Sequence, residues 1–301
     1  MSNRMISDDL VAWFNERWFD DMGAIDGKDV AFLSQMIATA KPRVVVEIGC
    51  ASGMSTCILA ALMSEQGGGE LHSFDVAQRY YVDTTKPVGY LVAEAPPHPG
   101  VEITVHRGKT CIDVGDHVTG QIDLCFIDAA HRHPWPLIDT LGVLPLMKPG
   151  GIIVHHDLKM FQSTQIEAYA TGPKHVLDQA PPVTRVYPDA EAQAEGGRLM
   201  KSRKINQNIF ALRVPDNKAA FGAKLADGFY LGWDKQSYRL VPLDFADRFR
   251  DFLTKNHTPW VVASFAEGMR RYSPPEPATP VAAPLRCPGL GRRLVNRLTG
   301  R

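Results

Sequence analysis

At 301 residues, with 45% hydrophobic and 22% charged, the chain has room for one large α/β domain, or a domain plus small appendages, and its composition is that of a soluble globular protein. Thirty-three basic residues balance thirty-three acidic ones, so no overall field draws it to nucleic acid or to an acidic partner. No apolar run approaches the roughly 20 residues that cross a bilayer, and the N-terminal MSNRMISDDL carries acids where a signal peptide needs an apolar core. Cys50, Cys57, Cys111, Cys125 and Cys287 are odd in number and mostly sit in apolar stretches. Reduced, buried thiols and a cytoplasmic location are therefore expected.

The chain opens with an amphipathic helix expected over 7–20, capped by Ser7, with Leu10, Phe14 and Trp18 at helical spacing. A second helix over 29–40 carries Val30, Leu33 and Ile37 on one stripe and is stopped by Pro42. The β-branched run 43–48 then reads as a strand buried on both faces. It ends in a loop with Gly49 and Gly53, and 55–63 continues as an apolar helix. Further strands are expected at 71–75, 101–105, 122–127, 151–155 and 208–214, with helical stretches between most of them. Such alternation predicts an α/β fold: a doubly wound, mostly parallel, Rossmann-like sheet covered on both faces.

Beyond Pro215 the sheet signals stop. Helices over 244–256 and from Thr258-Pro259 to about 272 make a small helical C-terminal appendage. Four parts follow: N-terminal helices at 1–40, the nucleotide-binding domain at 41–215, the appendage at 216–272 and a segment at 273–301. That last segment is a proline-rich linker and a basic tail with five arginines after Pro284, expected to be disordered. Its sharper reading is a weak contact with an anionic membrane surface or a partner. A homo-oligomer is left open.

In a parallel sheet, ligands bind beyond the carboxyl ends of the strands. The first strand ends Glu47-Ile-Gly49-Cys-Ala-Ser-Gly53-Met-Ser55. Its two glycines allow a tight turn and close backbone approach to a ligand. A dinucleotide loop needs glycine at its third position, and Ala51 stands there. Glu47 would repel a pyrophosphate but suits the ammonium end of a ligand. Asp75, closing the second strand, is placed to accept hydrogen bonds from ribose hydroxyls; the alternative is a turn aspartate. Asp128 and His131 after the fourth strand converge with His155, His156 and Asp157 after the fifth. Acids and imidazoles at one mouth suggest a metal site, a general base, or both.

The loop resembles motif I of class I S-adenosylmethionine (AdoMet)-dependent methyltransferases, and Gly53-Met-Ser55 is similar to catechol-type and caffeoyl-coenzyme-A-type O-methyltransferases. Phe126-Ile-Asp128-Ala-Ala-His131, then Lys148-Pro-Gly-Gly151 and His155-His156-Asp157, resembles metal-linked O-methyltransferases that include antibiotic-sugar enzymes. The resemblance implies AdoMet as cofactor, with Glu47, Gly49, Gly53, Ser55, Asp75 and Asp128 around it. It implies Asp128, His156 and Asp157 as ligands of magnesium or manganese, and His131 as catalytic base. The acceptor is then a hydroxyl of a small molecule or sugar. Two departures stand out: Lys109, where the family carries an acidic or small polar residue near the adenine, and His156, where it carries an acid or amide.

Plainer readings exist for single residues. His155 suits a packed core histidine, Asp157 a helix cap near Lys159, His133 the start of the next helix, and His131 a partner of Asp128. The segment 78–100 and the patch Phe229-Tyr230-Trp233 are candidate substrate walls. The rival functions are a metal-independent N- or carboxylate methyltransferase and a non-catalytic AdoMet-binding protein.

Overall fold

The computed structural model describes residues 7–19, 22, 24–162, 170–234 and 241–272. The expected linker and basic tail at 273–301, with Cys287, lie outside the described residues.

Helix α1 (Asp8–Arg17) starts where Ser7 accepts a hydrogen bond from the Leu10 amide at 3.3 Å. Helix α2 (Gly27–Ala40) begins two residues earlier than its apolar stripe suggests. Asp26 caps it, and Asp29 answers from the third helical position in a reciprocal capping box. Strand β1 (Val44–Ile48), helix α3 (Met54–Glu65), strand β2 (Gly69–Asp75), strand β3 (Val101–Arg107) and strand β4 (Ile122–Ile127) follow, each within two residues of its expected ends. Helix α4 (Trp135–Val143) leads to strand β5 (Met147–His155), which reaches back through the Lys148-Pro-Gly-Gly turn signal. Helix α5 (Gly172–Gln179), the two-residue strand β6 (Arg185–Val186) and helix α6 (Ala190–Leu199) precede strand β7 (Phe210–Arg213). Helices α7 (Lys218–Ala226), α8 (Leu243–Asn256) and α9 (Pro259–Tyr272) complete the described chain.

The seven strands form one sheet in the order β3-β2-β1-β4-β5-β7-β6. Strands β1 to β5 pair in parallel, and β7 runs antiparallel to both β5 and β6. Each central strand is buried on both faces, so its side chains alternate between two cores. Val46, Cys125 and Ile153 point into one core, with α4, α5 and α7 to α9. Val45, Leu124, Phe126 and Val154 point into the other, with α1, α2 and α3. Phe221, Phe249 and Phe265 are continuous with the first core, so the C-terminal helices cover one face of the sheet. Completely burying a phenylalanine such as Phe249 stabilises the fold by about 2–3 kcal/mol. Cys50, Cys57, Cys111 and Cys125 are free and buried. Among the described residues, no helix is long and apolar enough to cross a membrane.

Candidate active site

The sheet changes direction between β1 and β4, which leave their loops on opposite sides of a crevice. The Gly49 amide donates to the Phe74 carbonyl (2.8 Å), the Asp128 amide to the Ile48 carbonyl (2.9 Å) and the His156 amide to the Ile127 carbonyl (3.1 Å). These backbone bonds carry the sheet ladder one residue past each strand, bringing the ends of β2, β1, β4 and β5 side by side.

Gly49 takes φ +98°, and a Cβ there would lie 2.3 Å from the Asp128 carbonyl oxygen. Gly53, at φ +89°, opens α3 with no side chain over the first helical amides. The segment after β2 folds over this loop, its Gly89 and Leu91 amides donating to the Ala51 and Ser52 carbonyls (2.8 and 3.0 Å). Asp75 ties the loop from the other side. One carboxylate oxygen accepts from the Cys50 and Ala51 amides (3.1 and 3.0 Å), the other from the Ala77 amide (2.8 Å). The Lys109 amide donates to the Asp75 carbonyl at 3.0 Å, so that departure from the family pattern serves the turn through its backbone.

Glu47 lies beneath the loop, completely buried. Its Oε2 accepts from the Thr56 and Ser73 hydroxyls (2.5 and 2.6 Å), while Oε1 is buried without a protein partner. Burial pushes its carboxyl up to about 7, against the lowering effect of the nearby Ser55, Ser73 and Thr56 hydroxyls. A buried acceptor with a vacant lone pair is what an ammonium donor would satisfy. The two glycines let the Asp128 and Gly89 backbones pack directly against the loop. These residues fit the methionyl end of AdoMet.

On the far side of the crevice, His131 is one-fifth exposed and its Nε2 lies 3.1 Å from Asp157 Oδ2 and 3.9 Å from Asp128 Oδ1. Asp157 takes φ +58°, unusual for a residue with a side chain, and its Oδ1 accepts from Asn208 Nδ2 at 2.7 Å. Burial opposes its charge, but His156 and His131 beside it hold the carboxyl below the usual range.

His156 stands apart from its expected role. It is buried, with Nδ1 3.0 Å from Asp128 Oδ1 and Nε2 3.0 Å from Asp29 Oδ2. A carboxylate only accepts, so both nitrogens carry protons and neither keeps a lone pair for a metal. Burial works against that charge, and Asp128, Asp157 and Asp29 outweigh it, holding the imidazole protonated well above its usual range. The expected ligand set was Asp128, His156 and Asp157; among the described residues, the donor atoms that gather are those of Asp128, His131 and Asp157, all within 4.8 Å of one another. Sequence reasoning missed Asp29 and Asn208. Asp29 is visible as half of a capping box, but nothing in the sequence ties that box to the mouth.

The remaining histidines take structural places. His155 Nε2 meets the Thr140 hydroxyl (3.1 Å), its ring stacks on Phe210, and burial lowers its pKa to about 3. His133 Nε2 bonds to the Gly228 carbonyl (2.9 Å), and burial lowers it likewise to about 3. Among the described residues Asp157 caps no α-helix; a short 3₁₀ turn, Met160–Gln162, follows it. The aromatic patch is also corrected as a substrate wall. Phe229 and Trp233 are buried in the core against Phe265. In the segment 78–100, Tyr80 is buried and its hydroxyl donates to the Met22 carbonyl, while Tyr81 and Val82 are exposed.

Residues 46–158, from β1 to just beyond β5, match a family described as a methyltransferase domain. No curated protein matches the chain. Solved structures similar to it include the O-methyltransferase TomG from Streptomyces achromogenes, involved in tomaymycin synthesis and in complex with SAM (18% identity, 69% of this chain and 91% of that one, TM-score 0.41). They also include an O-methyltransferase from Bacillus cereus in complex with SAH (16%, 69% and 91%, 0.42) and the SAH-bound methyltransferase PaMTH1 from Podospora anserina (16%, 70% and 89%, 0.40). The match to a methyltransferase domain thus falls on the part of the sheet that bears the glycine loop, in a sheet whose antiparallel β7 lies between β5 and β6.

Proposed function

We propose that the protein transfers the methyl group of AdoMet to a hydroxyl of a small molecule or sugar, with His131 as the general base. AdoMet supplies an electrophilic methyl on a sulfonium. The glycine loop, Glu47 and Ser55 are the residues to hold its methionyl end, and Asp75 its ribose. The observation that carries the reading is the His131–Asp157 contact of 3.1 Å at the crevice mouth. When Nε2–H donates to Asp157, the imidazole keeps its lone pair on Nδ1, free to take the acceptor's proton. Asn208, bonded to the other Asp157 oxygen, fixes that carboxylate. His131 is partly exposed, as a residue that meets an incoming acceptor must be.

One observation favours a second reading. The donor atoms of Asp128, His131 and Asp157 lie close enough to share one cation. Two carboxylates and one imidazole suit magnesium or manganese. A cation bound there lowers the pKa of a coordinated hydroxyl, and His131 is then a ligand through Nε2.

Transfer of labelled methyl to a panel of hydroxyl compounds, with and without EDTA, tests the proposal. Turnover that survives EDTA and falls about a hundredfold or more in His131→Gln is expected. Loss in EDTA with recovery on adding manganese selects the cation reading. AdoMet binding without transfer to any hydroxyl refutes both.

A further inference from the structure

The most unusual arrangement near the mouth is a buried carboxylate–imidazole–carboxylate bridge whose far end belongs to neither strand of the site. His156 Nε2 lies 3.0 Å from Asp29 Oδ2, and its Nδ1 lies 3.0 Å from Asp128 Oδ1 and 3.6 Å from Asp157 Oδ1. Asp29 and His156 are each only 3% exposed. Asp29 stands 127 positions from His156, in α2, outside the matched methyltransferase segment.

We infer that Asp29 is a positioning residue for the reaction: acting through His156, it fixes the carboxylate of Asp128 at the crevice mouth. The inference rests on the methyl-transfer reading above. An imidazole on a strand end can rotate about its side-chain bonds, and a partner on Nδ1 alone leaves that freedom. A second partner on Nε2, held by an independent helix, removes it. Asp29 is itself immobilised, because the Asp26 amide donates to the same Oδ2 at 3.0 Å within the capping box. The chain Asp29–His156–Asp128, anchored by the Asp26 backbone amide, therefore transmits the position of the α2 N-terminus to the mouth, where His131 also meets Asp128 and Asp157. A capping box alone needs no buried imidazole. A core histidine alone needs no carboxylate on either nitrogen, as His155 shows with its single hydroxyl partner.

Three variants test this. Asp29→Ala removes both the cap and the bridge. Asp29→Asn keeps an oxygen able to accept from the Asp26 amide and from His156 Nε2. Asp26→Ala damages the cap and leaves the Asp29–His156 bond in place. The expected result is a kcat lowered about tenfold or more in Asp29→Ala, with AdoMet KM and S-adenosylhomocysteine Kd within about twofold of wild type. Asp29→Asn recovers to within about threefold, and Asp26→Ala, though it melts at a lower temperature, keeps its kcat. Ring ¹⁵N–¹H spectra provide a readout independent of any acceptor: His156 shows two protected N–H signals in wild type, and Asp29→Ala loses the Nε2 one. An unchanged kcat in Asp29→Ala, or equal losses in Asp29→Ala and Asp26→Ala, overturns the inference while methyl transfer by the wild type still stands. A wild type that binds S-adenosylhomocysteine but methylates no hydroxyl overturns the functional reading and this inference with it.

Discussion

Gly49 is where fold and cofactor site press against the same atoms, so Gly49→Ala is the sharpest test of the crevice. Alanine there pays twice. The backbone sits at φ +98°, where a side chain costs about 1–2 kcal/mol. The new Cβ would also lie 2.3 Å from the Asp128 carbonyl oxygen and 2.7 Å from the Ala129 Cα. Both are backbone, so β4 and the glycine loop must separate, at a further cost of about 1–3 kcal/mol. Gly120 is the matched control: its φ is +89°, but nothing lies within 4 Å of its Cβ position. Gly120→Ala then shows the conformational cost alone, about 1–2 kcal/mol, with cofactor binding unchanged. Urea unfolding measures the stabilities, and calorimetric titration with S-adenosylhomocysteine measures the binding. Gly49→Ala is expected to lose at least about 1 kcal/mol more than Gly120→Ala and to bind at least about tenfold more weakly. Equal stability losses, with affinity within about twofold of wild type, would falsify the close approach of the loop to Asp128.

Asp75→Asn is expected to weaken S-adenosylhomocysteine binding about tenfold or more, because Asp75 ties the Cys50 and Ala51 amides and is the proposed ribose acid; an unchanged Kd removes it from the site. Asp139 of α4 is buried without a cationic partner, and desolvation raises its carboxyl to about 7, against a hydrogen bond with Cys111. A raised acid binds its proton more tightly in the folded state, so its contribution is greatest below the unfolded pKa near 3.8 and is lost as pH climbs to about 7. Asp139→Asn should therefore gain about 2–3 kcal/mol relative to wild type between about pH 5 and pH 8 in urea unfolding. A variant-minus-wild-type difference that is the same at both pH values counts against it.

The sheet was legible because its central strands are short β-branched runs ending in turn residues. Val44–Ile48 and Ile122–Ile127 could hardly be anything else. Strand β6 was not, because two residues carry no period. Helix α6 was hidden as well: AEAQAEGGRL has no apolar stripe, and it is placed by the Gly196 backbone, which comes so near α2 that a Cβ would be 2.3 Å from the Gly27 carbonyl oxygen. Phe229 and Trp233 looked like a ligand wall because an aromatic cluster reads the same whether it faces a crevice or a core. At the mouth, residue types and order were readable, and pair geometry was not. His156 follows His155 directly, yet alternation puts them on opposite faces, one toward Thr140 and Phe210, the other toward three carboxylates.

The proposed site residues and some of the groups that hold them come from different parts of the chain. Glu47, Asp75, Asp128, His131 and Asp157 all lie within the segment that matches the methyltransferase family. Three of the groups that orient the mouth lie outside it: Asp29 on His156, Asn208 on Asp157, and Asp234, whose carboxylate takes the His133 amide at 2.7 Å in the loop just after His131. A strand end leaves a side chain with rotational freedom, and a carboxylate in a crevice of carboxylates is pushed away from its neighbours. Contacts from α2, from Asn208 two residues before β7 and from the stretch after α7 oppose both tendencies. Chemistry of one type can then be kept on the matched strands while the outer elements diverge, provided that a donor still reaches Asp157 and an acceptor still reaches His156. The match over 46–158 therefore covers the proposed site residues, and elements outside it supply contacts to His156, to Asp157 and to the loop after His131.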